Sequence, residues 1–130
     1  QAKEKLVSMP HEAEIQLVNE KLLNDDLSVL GKTCLLEMVS LFTQACNDNM
    51  AALEVARQQE DWVKLSDSAH NFKNAAGSLG LETLHQLINQ LESQAKHGQP
   101  TSIDLILEDL PDLVKVSQKA LNNWSAAHIT

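Results

Sequence analysis

The chain has 130 residues, of which 43% are hydrophobic but only 3% aromatic, with no tyrosine, four glycines and three prolines. One domain with an aliphatic core fits this composition, whereas a sandwich of many hairpins would need more aromatic residues and more turn residues. The net charge of -8 excludes a protein that tracks nucleic-acid phosphates with a basic face.

Residues 1–20 are polar and mixed around Pro10 and are expected to form an N-terminal tail or linker. From 21 to 130 the pattern predicts one helical domain. "LLNDDLSVLG" (22–31) reads as a short capped helix stopping at Gly31. From Lys32, the apolar residues Leu35, Val39, Phe42, Cys46, Met50 and Leu53 recur at three-to-four spacing, so a helix runs to about Gln58. Cys34 and Cys46 both fall on it. Twelve residues of helix hold them about 18 Å apart, beyond disulfide reach, and reduced thiols fit a cytoplasmic setting.

The next helix is expected from near Asp61 to Gly80. A further one carries Leu84, Leu87, Ile88 and Leu91 and stops at "HGQP" (97–100). The last segment is expected to start with Thr101 and Ser102 as N-caps and to be broken or kinked at Pro111. Its apolar stripe is Leu113, Val114, Leu121 and Trp124, with Ser117 among them. The expected fold class is all-α: an antiparallel four-helix bundle with a short extra N-terminal helix. No apolar run approaches the roughly 18 residues that span a bilayer, and no signal-peptide pattern opens the chain. The start at Gln1, with Met9 the first methionine, suggests a piece of a longer polypeptide.

Two lines of residues divide the helix around "AHNFKNAAGSLG" (69–80). At about 100° per residue, Leu65, Ala69, Phe72, Ala76 and Leu79 share a narrow sector that must face the core. Ser66, His70, Lys73 and Gly77 form a second line centred roughly 110° away, expected to face solvent. Ala76 is explained by close helix packing. Gly77 costs about 1 kcal/mol relative to alanine in a helix and, on an exposed line, is expected to clear space for a partner approaching His70. A neutral imidazole offers a nitrogen lone pair as a nucleophile, and Lys73, one turn on, would attract a phosphoryl group. An exposed His with Lys three residues on is more often an ordinary solvated face, so the pattern alone leaves both readings open.

"AHNFKNAAGSLGLETLHQLINQLES" (69–93) resembles the signature of histidine phosphotransfer (HPt) domains, in which Ala-His is followed by Lys three residues on, small residues, a Gly and then Leu-Gly. The helix layout extends the resemblance from about residue 22 to the end. "LLNDDLSVLG" and the later "LFTQ" are similar to the HPt module ending hybrid sensor kinases, most of all the trimethylamine-oxide sensor group. The resemblance implies that His70 is the phosphoacceptor and Lys73 the basic residue beside the phosphoryl group. It implies a receiver docking surface at Ser66, Asn74 and Gly77. Asn74 departs from the family, which often has glycine after the lysine.

The implied function is a phosphorelay intermediate. His70 takes a phosphoryl group from the aspartate of one receiver domain and passes it to the aspartate of a response regulator. The expected partners are receivers of the parent hybrid kinase and of a response regulator, with no nucleic acid and no membrane contact by this fragment. The domain is expected to be monomeric, on the cytoplasmic side of an inner-membrane-anchored kinase. It needs no cofactor of its own, since the receiver supplies Mg²⁺. No Gly-rich phosphate loop or G-x-x-x-x-G-K-[ST] is present, so an ATP site is not expected here.

Three alternatives compete. A non-enzymatic helical adaptor would need an exposed apolar groove, and none is evident on the motif helix. A dimerisation-and-phosphoacceptor helix of a sensor kinase would place an acidic residue after the histidine and a proline shortly beyond. Asn71 stands there instead, with no proline through Gly80. Metal binding lacks support, because His11, His85, His97 and His128 form no i, i+4 pair with one another or with His70. His85 is expected at a core boundary, and Trp62 and Trp124 as packing anchors.

Overall fold

The structure is a computed structural model that describes residues 17–129. Pro10, His11 and most of the expected N-terminal tail lie outside the described residues. Among the described residues, five helices follow in order: α1 (Glu20–Leu30), α2 (Lys32–Gln58), α3 (Trp62–Ser78), α4 (Glu82–His97) and α5 (Pro100–His128). Links of two or three residues join α2 to α5 in sequence, so each helix turns back beside the last. α3 packs most extensively on α4, then on α2; α5 closes the ring against α4 and α2. This is the antiparallel four-helix bundle, with α1 as the short extra helix.

The apolar stripes meet in one core. Leu35, Val39, Phe42, Cys46 and Leu53 from α2 are buried against Leu65, Ala69, Phe72 and Ala76 from α3. Leu84, Ile88 and Leu91 from α4, with Ile103, Leu110, Val114, Leu121 and Trp124 from α5, complete it. The two phenylalanines lie at a ring-centroid distance of 6.5 Å, suited to a tilted aromatic contact. Burial pushes the Cys46 thiol up to about 11, against the lowering hydrogen bond of Gln118. That keeps it a protonated core residue.

Local chemistry sets the ends. Asp61 caps α3 by accepting from Lys64 N at 3.1 Å, and Asn19 caps α1 by accepting from Leu22 N at 3.0 Å. Gly80, at φ 71°, turns the chain between α3 and α4. Its carbonyl accepts from Asn19 N at 2.8 Å, tying α1 to that turn.

One expectation about α5 needs correction. Its N-cap is Gln99 with Pro100 in the first turn, so Thr101 and Ser102 lie inside the helix. Proline at the first position loses no hydrogen bond and presets φ, which lets the helix begin earlier. Of the two outcomes expected at Pro111, the break does not occur: the helix continues through it as one element. Pro111 is exposed while Leu110 and Val114 beside it are buried, so packing on both sides carries the helix past the missing N–H.

Candidate functional site

α3 brings the second line of residues to the seam with α4, where Ser66, Lys73 and Gly77 are covered while His70 remains exposed, as expected. A helix in a four-helix bundle touches two neighbours, so a sector some 110° from its core stripe (by the 100° rotation per residue) is flanked by one of them. Ser66 is buried at 8% exposure and Gly77 is half-buried. The side chain of Lys73 is 18% exposed and that of His70 53%. Of the expected docking residues, only Asn74 is exposed.

The seam holds a residue that the sequence reading did not single out. Glu92 of α4 is 6% exposed, and its Oε2 lies 3.0 Å from His70 Nδ1. Lys73 Nζ stands 2.7 Å from Glu92 Oε1 and donates to Asn89 Oδ1 at 3.1 Å. Lys96, one turn along α4, places Nζ 3.4 Å from Glu92 Oε2. Burial by itself would push the Glu92 carboxyl up. Lys73, His70 and Lys96 outweigh it and hold the group down at about 2, so Glu92 is ionised at neutral pH. One signal in the sequence could have revealed it: position 92 continues the buried stripe of Ile88 and Ala95 at helical spacing, and a carboxylate there needs partners.

An ionised carboxylate only accepts hydrogen bonds. His70 Nδ1 must therefore carry the proton and donate to Glu92, which fixes the tautomer and leaves the lone pair on Nε2. The site thus consists of an oriented imidazole with a free lone pair, a buried anion behind it and two ammonium groups beside it.

Gly77 serves a different neighbour from the one expected. A Cβ built there would come 3.0 Å from His85 Cδ2 of α4, so the glycine makes room for the half-buried His85 ring. Position 77, expected to face solvent, thus has a neighbour on α4. The motif helix also borders apolar surface. Val63 is 72% exposed, and a groove of about 470 Å³ between α2 and α3 is lined by Ala51, Ala52, Val55, Ala56, Ser68 and Asn71, among others. That groove, adjoining the neighbour of His70, was not evident from the sequence because half of it belongs to α2.

Residues 37–122 match the Hpt domain family, and the chain belongs to it. It is 31% identical over 91 residues to the sensor protein TorS of Escherichia coli K12, a match covering 66% of this chain and 10% of that protein. The chain thus spans about a tenth of that relative's length. The crystal structure of histidine-containing phosphotransfer protein B (HptB) from Pseudomonas aeruginosa PAO1 has the same fold, with a TM-score of 0.79 at 18% identity. That likeness covers 93% of this chain and 99% of HptB. The domain's function is histidine phosphotransfer in a phosphorelay.

Proposed function

We propose that His70 is the phosphoacceptor and that its Nε2 attacks the aspartyl phosphate of a docked receiver. The observation that carries this reading is the division of the ring: Nδ1 is committed to Glu92 at 3.0 Å, while the side chain remains 53% exposed. In the step, the Nε2 lone pair forms the N–P bond as the P–O bond to the receiver's carboxylate breaks, its electron pair returning to that carboxylate. Nδ1 keeps its proton, so the phosphorylated ring is cationic, and Glu92 lies against the charge as it develops. The reverse sequence delivers the group to a second receiver.

Lys73 supplies positive charge for the phosphoryl oxygens, whose charge must be neutralised in a loose transition state. Glu92 is already engaged by Lys73, His70 and Lys96, so the reading assigns Mg²⁺ to the receiver's own acidic site. The groove between α2 and α3, lined in part by Asn71 next in sequence to His70, offers the receiver an apolar surface. On this reading the receivers belong to a parent hybrid kinase and to a response regulator. The domain works as a monomer on the cytoplasmic side of the membrane.

The test uses a receiver carrying labelled phosphate. The wild-type domain is expected to acquire acid-labile, alkali-stable label, and His70→Gln to acquire none. Glutamine can still donate to Glu92, so the variant should fold. His85→Gln and His97→Gln should retain uptake, and label on the His70→Gln protein would overturn the assignment.

A further inference from the structure

Glu92 has two ammonium partners, and they differ in how tightly they hold it. Lys73 is close, at 2.7 Å, and its side chain is mostly covered. Lys96 stands off at 3.4 Å with a side chain 63% exposed. It is carried on α4 one turn beyond Glu92, so the helix fixes its base while its ammonium group remains free to move. A single neutral imidazole does not need two cations behind it.

The phosphorylated state does. A phosphoryl group on Nε2 brings close to two negative charges next to an anion that is buried and cannot be rehydrated. Lys73, one turn from His70, is drawn toward the phosphoryl oxygens. If it moves, Oε1 of Glu92 loses its ammonium partner, and with only the imidazolium left at Oε2 the buried carboxylate is incompletely paired, which is unfavourable. Resting on the assignment of His70 as phosphoacceptor, we propose that Lys96 is a reserve counter-cation: it closes on Glu92 as Lys73 transfers to the phosphoryl group. The two lysines exchange duties, and Glu92 keeps its charge and its grip on Nδ1 throughout. Lys96 is thus a positioning residue acting through Glu92, touching neither the phosphoryl group nor the receiver.

Phosphoramidate tests this without a receiver. Its P–N bond breaks with departure of ammonia as the N–P bond to His70 forms, so docking contributes nothing. After removal of the donor, the half-life of phosphohistidine is followed in wild type, Lys96→Gln, Lys96→Arg, Glu92→Gln and the double variant Lys96→Gln/Glu92→Gln. Lys73 on the phosphoryl oxygens withdraws the charge that drives a dissociative loss of the group. In Lys96→Gln it is retained by Glu92 instead, and the half-life should shorten about threefold, the scale of one partly exposed ion pair. Lys96→Arg should restore it.

In the Glu92→Gln background there is no anion to relieve, and adding Lys96→Gln should change nothing. An unchanged half-life in the single variant overturns the proposal. So does an equal shortening in the Glu92→Gln background, which would mean that Lys96 touches the phosphoryl group directly. Failure of wild type to take label at His70 overturns the phosphoacceptor assignment itself, and the two failures are distinguishable in the same gel.

Discussion

Glu92 determines what His70 can do. On the proposed assignment of His70 as phosphoacceptor, a carboxylate behind Nδ1 orients the ring, specifies the attacking nitrogen and stabilises the cation formed when that nitrogen takes phosphorus. Glutamine at 92 would preserve the hydrogen bond, since its carbonyl oxygen accepts from Nδ1, but would remove the charge. Glu92→Gln should therefore slow phosphoryl uptake from a receiver on the order of tenfold while leaving receiver affinity unchanged, because only the transition state and the phosphorylated ring carry the added charge. Single-turnover uptake at saturating receiver, with a separate binding titration, checks this. A weaker affinity with an unaltered saturating rate would make Glu92 part of the docking surface instead.

At the scale of the helix, Gly77 illustrates what a single sequence can reveal about a bundle. Periodicity placed the core stripe of α3 correctly, and Leu65, Ala69, Phe72 and Ala76 are buried. The same rotation shows which residues lie off that stripe, yet not which neighbouring helix covers them. Ser66 and Gly77 were therefore expected in solvent and are found against α4. Glu92 went unnoticed for the same reason, since its partners His70 and Lys73 come from another helix. His70 and Lys73 were singled out through a resemblance carried by residues within one turn, and the structure brings both to Glu92. For Gly77, the contact with His85 sets the result of substitution. Leucine gains roughly 0.8 kcal/mol of helix propensity, but forcing its side chain into the His85 ring costs about 1–3 kcal/mol of overpacking. Gly77→Leu should melt at a lower temperature and still transfer normally per folded molecule. A more stable variant that no longer transfers would restore the access role.

Across the whole molecule, the site and the fold share one seam, so the charges serving the chemistry also couple stability to pH. Glu92 titrates at about 2 in the folded chain, against about 4.5 for an ordinary glutamate. A carboxyl with a lowered folded value binds its proton more readily when the chain unfolds. Its contribution is therefore complete above about pH 4.5 and is lost as the pH falls toward 2. Asp104 of α5, held down by the guanidinium of Arg57 from α2, works in the same direction across another seam, although its exposure lets solvent screen it. Glu92→Gln removes the first contribution and leaves the second. Urea unfolding at stepped pH should find wild type more stable than Glu92→Gln at pH 6, with the gap narrowing from pH 4.5 and nearly closed by pH 2. Parallel curves over that range would show that Glu92 keeps an ordinary affinity for its proton. The buried anion would then orient His70 without helping to hold α3 against α4.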